Sequence, residues 1–204
     1  MRIQPQSVLG EMFVDPLLLT RFNSEDTTLT ERTEIGCLLV SSAVDSDKVS
    51  ARLNIAAQCS FPLEGGRMTE ARPYRVLWLT PRSWLVHCPL DEEWALANRI
   101  NEAFPDKLVH ASLFADHLCW LELSGRHALA LLTDGGFVSL ERGGIPVGCA
   151  KRTLLAGVGV IIFRKDIQTW LLAVERSRTE YIASWLQDVS KRGSRGVSED
   201  PNGG

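Results

Sequence analysis

Short apolar runs broken by polar turns set the rhythm of the chain from residue 36 onward. "GCLLVSSAV" (36–44) reads as a strand, and "SARLNIAAQC" (50–59) as a short helix or a strand, before "FPLEGGRMTEARP" supplies Pro and Gly for a loop. "RVLWLT" (75–80) and "SWLVHC" (83–88) are rich in Val, Leu and Trp and flank a Pro-containing turn, which is a hairpin signal. "LDEEWALANRINEAF" (90–104) follows as a helix: Asp91, Glu92 and Glu93 favour its positive end, Trp94, Ala97, Ile100 and Phe104 fall near one face, and Pro105 stops it. "HLCWLELSG" (117–125) is a strand running into "RHALALLTDGG" (126–136), a short helix closed by a Gly pair. The hairpin and helix plan then returns. "GVGVIIFRKDIQTWLLAVE" (157–175) gives two apolar runs around Arg164, Lys165 and Asp166. In the helix after it Ser177 and Glu180 form a capping box, Tyr181, Ile182, Trp185, Leu186 and Val189 an apolar stripe, and Lys191 and Arg192 complement the C-terminal end.

Helices interspersed with hairpins, rather than with single strands, point to an α+β fold of mainly antiparallel sheets covered by helices, built from hairpin-helix units. The first 35 or so residues carry apolar steps (Met12, Phe13, Val14, Leu17, Leu18, Leu19) and a polar run without sustained period, an irregular lead-in. Residues 1–190 form one domain, or two closely packed subdomains with a break near 60–75. "KRGSRGVSEDPNGG" (191–204), polar and Gly-rich, reads as a disordered tail.

Composition narrows the function classes. With 204 residues and 45% hydrophobic content the chain can bury a core without metal or disulfide staples. Its net charge of -3 is spread along the chain with no basic stripe, which argues against nucleic acid. Cys37, Cys59, Cys88, Cys119 and Cys149 are an odd set without C-x-x-C, so a reducing cytoplasm is the expected home. No signal-peptide pattern and no stretch near 18 apolar residues is present, so neither export nor a membrane span is expected.

The residues that could carry chemistry are few. "LEGGR" (63–67), "TDGGF" (133–137) and "RGGIPVG" (142–148) lack the spacing of nucleotide-binding loops; Gly135 and Gly136 read as a helix stop, and Gly143, Gly144, Pro146 and Gly148 as a loop. No G-x-S-x-G elbow occurs. His87 and Cys88 are strand neighbours that point to opposite faces, whereas His117 and Cys119, with Asp116 adjacent, would share a face and read as a core edge. His87, His110, His117 and His127 show no metal-ligand spacing. Trp78, Trp84, Trp94, Trp120, Trp170 and Trp185 fall in or beside elements, as core or as an aromatic patch facing a partner, and the Arg-rich runs near residues 141–153 and 174–180 read as solvated edges or interface arginines. These readings assign no catalytic, cofactor-binding or metal residue.

Four stretches resemble one family. Trp78, Leu79, Pro81, Trp84 and Leu85; Leu123, Ser124 and Gly125; Pro146, Gly148, Cys149, Ala150 and Thr153; and Arg176, Ser177, Tyr181, Trp185 and Leu186 are similar to the gamma subunit of heterotetrameric sarcosine oxidase over residues 75–190. Arg126, where that family often has proline, and "SLFADH", where it has D-L-S, depart from it. The resemblance implies a fold similar to the folate-binding region of the glycine-cleavage T-protein. It further implies a non-catalytic assembly role beside an alpha subunit binding NAD and tetrahydrofolate, a flavin-carrying beta subunit (FAD and FMN in the complex) and a zinc-binding delta subunit, in a complex that demethylates sarcosine to glycine and passes the one-carbon unit to tetrahydrofolate. Two alternatives stand beside it: the gamma chain of a related N-methyl amino acid dehydrogenase, and a stand-alone tetrahydrofolate-binding one-carbon protein. The second would need a carboxylate facing the pterin, from Asp116, Glu122 or Asp134.

Overall fold

A computed structural model describes residues 7–10, 27–135 and 144–195, with side chains through 191. Among the described residues ten strands form two five-stranded antiparallel sheets. The first contains β2 (Ile35–Ser42), β3 (Met68–Ala71), β4 (Tyr74–Thr80), β5 (Ser83–Pro89) and β6 (Val109–Leu113), in the order β3-β4-β5-β2-β6. The second contains β1 (Thr27–Glu31), β7 (Leu118–Gly125), β8 (Ala150–Leu155), β9 (Val158–Arg164) and β10 (Thr169–Glu175), in the order β1-β7-β10-β9-β8. Helices α1 (Ser46–Ala57) and α2 (Glu93–Ala103) cover the outer face of the first sheet, and α3 (Ala128–Gly135) and α4 (Thr179–Arg195) that of the second. The α+β architecture expected from the hairpin and helix alternation is present.

Strand alternation builds three apolar layers. Leu38, Val40, Trp84, Val86 and Cys88 face α1 and α2, joined by Leu53, Leu96 and Ile100. Leu121, Leu123, Trp170, Leu172 and Val174 face α3 and α4, joined by Leu132, Ile182 and Leu186. The alternate positions, Cys37, Leu77, Leu85, Trp120, Phe163, Leu171 and Ala173, meet between the sheets. Residues 60–75 lie within the first sheet's part of the chain, with β3 paired to β4.

The two sheets repeat one plan in register. Trp84 opposes Trp78 across β4 and β5, and Trp170 opposes Arg164 across β9 and β10; Leu38 opposes Val86, and Leu121 opposes Leu172. Each half therefore reads strand, helix, strand, hairpin, helix, with a final strand beside the first. In the first half β6 is that final strand; in the second its place is taken by β1, from the N-terminal side of the chain.

Of the two readings open for "SARLNIAAQC", the helix holds, as part of α1. Several other local expectations are corrected. Part of the lead-in forms β1, where Thr27, Leu29 and Glu31 alternate with the exposed Thr28 and Thr30. On α2 the buried face is Glu93, Leu96, Ala97 and Ile100, and Trp94 points outward at 67% exposure. Glu93 takes the inward position because its carboxylate has backbone partners there, which rotates Trp94 about 100° away. Ser177 does not cap the last helix. A short 3-10 turn, Arg176–Arg178, precedes it, and the Thr179 hydroxyl donates to Glu175 O at 3.1 Å. Tyr181, placed on the apolar stripe by its spacing, is half exposed. Gly135 closes α3 by close approach rather than by a left-handed turn, since a Cβ there would sit 2.2 Å from the Trp185 ring. α4 runs on to Arg195, into the stretch read as tail. Met12 to Val14, Leu17 to Leu19, Gly136, Gly143 and the tail from 196 lie outside the described residues.

Candidate functional site

The β4–β5 hairpin sorts its side chains between two layers. Trp84 is fully buried on the helix side, its indole N–H donating to Pro62 O at 2.7 Å and its ring edge-on to Phe61 at 5.3 Å. Cys88 faces the same side, and burial, with Glu93 nearby, pushes its thiol up to about 12. His87 faces the other sheet, so strand alternation separates the pair as expected. Its ring meets Trp120 edge-on at 5.4 Å, and Arg75 and Cys37 are its cross-strand neighbours.

At one cross-strand pair the inter-sheet layer is polar in the first half and apolar in the second. Arg75 and His87 correspond in the repeat to Ile161 and Ala173, which face each other across β9 and β10. Arg75 reaches Glu70 at 3.1 Å and lies 5.7 Å from the Phe163 ring, while Arg75 Nε and His87 Nδ1 are buried without a hydrogen-bond partner among the described residues. Burial first, and the Arg75 guanidinium second, hold the imidazole down to about 4, so His87 is neutral at pH 7. Trp120 faces the Cys37 thiol, a weak contact outside hydrogen-bond geometry, and burial pushes that thiol up.

The depressed His87 value makes a pH prediction. Because the folded value lies below the unfolded 6.5, stability is complete above pH 6.5 and is lost as pH falls toward 4, by about 2 kcal/mol at pH 5 and about 3 kcal/mol once the group is protonated in both states. Urea denaturation at pH 7.5 and pH 5 of the wild-type chain and His87→Asn isolates this contribution. An unchanged acid dependence in the variant contradicts it.

Two carboxylates that sequence spacing did not single out tie segments to the sheets. Glu93 Oε1 accepts the backbone N–H groups of Cys37, Phe114 and Ala115 at 3.2, 3.3 and 3.1 Å. Burial raises its pKa, and those three bonds pull the other way. Gly36 permits this approach, since a Cβ there would lie 2.8 Å from Leu90 Cα and 3.3 Å from Glu93 Cβ. Glu31 accepts the Val8 and Leu9 N–H groups at 2.9 and 3.1 Å, together with the Ser7 hydroxyl and the Cys119 thiol, which seats Leu9 in the core. The only local hint for Glu93 is its place in the first turn of a helix, which explains a surface carboxylate as well as a buried one.

The remaining candidates are dispersed. Cys119 is held by Glu31, whereas His117 is exposed beside the Phe114 ring at 4.7 Å. Asp116 is exposed in the turn before β7, Asp134 is exposed on α3, and Glu122 holds Arg32 at 2.7 Å and Lys165 at 3.0 Å. These three carboxylates share no partner among the described residues, and the one facing inward is already paired. All five cysteines are free; burial lifts Cys59 to about 11 and Cys119 to about 12, far from the thiolate a nucleophile requires. Among the described residues no three His, Cys, Asp or Glu side chains come together as metal ligands, and no helix is long and apolar enough to cross a membrane. His110 lies exposed on β6, and His127 is exposed before α3.

What this geometry offers is a rigid double-sheet body with polar ties inside and apolar side chains, Trp94 and Ile55 among them, on its surface. Comparison with known proteins fits that picture. The family model described as sarcosine oxidase, gamma subunit family matches residues 66–192, from the approach to β3 through most of α4. The sarcosine oxidase subunit gamma of Corynebacterium sp. (strain P-1) is 31% identical over 114 residues, a stretch that spans 56% of this chain and 55% of that protein. The fold is similar to that of a chain in the heterotetrameric sarcosine oxidase from Corynebacterium sp. U-96 in complex with pyrrole 2-carboxylate, with a TM-score of 0.82, 23% identity and coverage of 93% and 96% of the two chains. It is also similar to the glycine cleavage system aminomethyltransferase T from Bartonella henselae, with a TM-score of 0.59 and 12% identity over 89% of this chain and 49% of that one. The chain belongs to the sarcosine oxidase gamma subunit family.

Proposed function

We propose that the chain is the gamma subunit of a heterotetrameric sarcosine oxidase and serves its assembly and stability rather than its chemistry. The observation that carries this reading is the family match from β3 through α4, on a fold like that of a chain from such an oxidase along nearly its whole length. The site chemistry supports it: the buried thiols are held protonated, His87 is a poor base at neutral pH, and Glu31, Glu93 and Glu122 are spent on backbone amides or ion pairs. In this reading alpha, beta and delta subunits carry the FAD, FMN, NAD and tetrahydrofolate sites, the complex oxidatively demethylates sarcosine to glycine with one-carbon transfer to tetrahydrofolate, and the assembly works in the cytoplasm.

The likeness to aminomethyltransferase T favours a second reading, tetrahydrofolate binding by the chain itself. The pairing of Glu122 with Arg32 and Lys165 weighs against it. Calorimetric titration of the purified chain with tetrahydrofolate decides between them: no heat of binding is expected, and saturable one-to-one binding overturns the assembly-only role. Assay of the assembled complex on a panel of N-methyl amino acids tests the substrate, with sarcosine expected as the best and another member as the outcome that moves the chain to a related dehydrogenase.

A further inference from the structure

The outer edges of the two sheets are treated unequally. On β6, Phe114 N–H donates to Cys37 O and Ala43 N–H donates to Leu108 O, so the alternate residue Ala111 turns its backbone outward. Asn101 on α2 takes both outward groups, its Oδ1 accepting from Ala111 N–H at 2.9 Å and its Nδ2 donating to Ala111 O at 3.0 Å. A strand approaching there meets occupied groups, one way of guarding an edge.

The far edge of the second sheet, β8, has no such cover among the described residues. Ala156 and Gly157, at φ 49° and 80°, form a two-residue turn closed by the Leu155 and Val158 pair. Leu155, Thr153 and Lys151 therefore exchange hydrogen bonds with β9, and Cys149 O, in the same phase, accepts Arg164 N–H at 3.0 Å. The N–H and C=O groups of Ala150, Arg152 and Leu154 point away from the sheet. Lys151 and Arg152 are exposed, with no ion pair or hydrogen bond among the described residues. Val147, Leu154 and Tyr181, each about half exposed, lie along this edge, the Tyr181 hydroxyl donating to Ala156 O at 3.2 Å. Opposite Leu154, Gly159 leaves open space, since a Cβ there would meet nothing within 4 Å.

We propose that β8 is a docking edge that takes an extended, acidic segment of a partner chain as a sixth strand. Outward backbone groups supply the pairing, Lys151 and Arg152 select acidic side chains, and Leu154 beside Gly159 receives an apolar one. A second copy of this chain is a poorer occupant, because antiparallel pairing of β8 with itself sets Lys151 and Arg152 against like charges. The proposal rests on the reading that the chain works inside an assembly.

Hydrogen exchange on the isolated chain and on the complex co-purified with it tests the edge directly: the Arg152 and Leu154 amides exchange freely in the first and are protected in the second. Two variants accompany it. Arg152→Pro removes an outward donor without touching the bonds to β9, and Lys151→Glu with Arg152→Glu reverses the charge. Each is expected to leave the melting of the isolated chain unchanged and to weaken association at least about tenfold, the charge reversal losing its effect in high salt. Unprotected amides in a complex that still contains the chain, or wild-type affinity in both variants, overturn the proposal and leave the function standing. A concentration-dependent dimer of the isolated chain that Arg152→Pro abolishes overturns it as well, giving the edge to a second copy. If the wild-type chain joins no complex, the reading beneath it fails.

Discussion

Replacing Glu93 with alanine lowers the stability of the chain by about 2 to 4 kcal/mol, because the Cys37 and Ala115 N–H groups lose their acceptor at once, while the Phe114 N–H keeps its bond to Cys37 O at 2.8 Å. Those amides belong to β2 and to the segment between β6 and β7, so the damage falls where the two sheets meet. Glu93→Gln keeps an oxygen acceptor in place and removes the burial penalty that raises the carboxyl pKa, so its loss is smaller, about 1 kcal/mol. Equilibrium urea denaturation of both variants measures the difference. Equal losses contradict an acceptor role, and a loss below about 1 kcal/mol in the alanine variant contradicts the bonds themselves.

Gly135→Ala is expected to cost about 1 to 3 kcal/mol, and the cost should depend on Trp185. The added Cβ would lie 2.2 and 2.3 Å from two ring atoms of Trp185, so either the ring swings off the end of α3 or the helices part. Trp185→Leu alone loses packing. In the double variant the clash is gone, and the two losses are not additive: the pair is more stable than the sum of the single effects predicts. Thermal melting of the three variants reads this directly, and strict additivity contradicts the contact.

The elements legible in the sequence are the ones that bury both faces. β5 and β10 carry continuous apolar runs because helices cover one side and the other sheet covers the second, and β4 and β9 announce themselves as their hairpin partners. β1, β3, β6 and β8 were not legible as strands because they are edges: "TTLTE", "MTEA", "VHASL" and "AKRTLL" are short, half polar and held by pairing with strands already formed. The substitution of β1 for a second β6 is a pairing of Leu29 with Leu123, more than ninety residues away, and nothing local encodes it. The separation of His87 from Cys88 followed from alternation alone. The burial of Glu93 and its displacement of Trp94 did not, because a carboxylate at a helix start has the same local pattern whether it faces solvent or three amides. Arg75 and His87 stand out only once the repeat is superposed in register, where Ile161 and Ala173 show what an ordinary sheet interior would hold.

The chain's role as an assembly subunit is tested most directly by co-expressing it, tagged, with the proteins encoded beside it and measuring the mass, subunit stoichiometry and flavin absorbance of what elutes. A single species is expected, with one copy of this chain beside flavin-bearing subunits and with sarcosine-dependent oxidase activity that is lost when the chain is omitted. A stable, colourless monomer that elutes apart from an intact and active flavoprotein would contradict it.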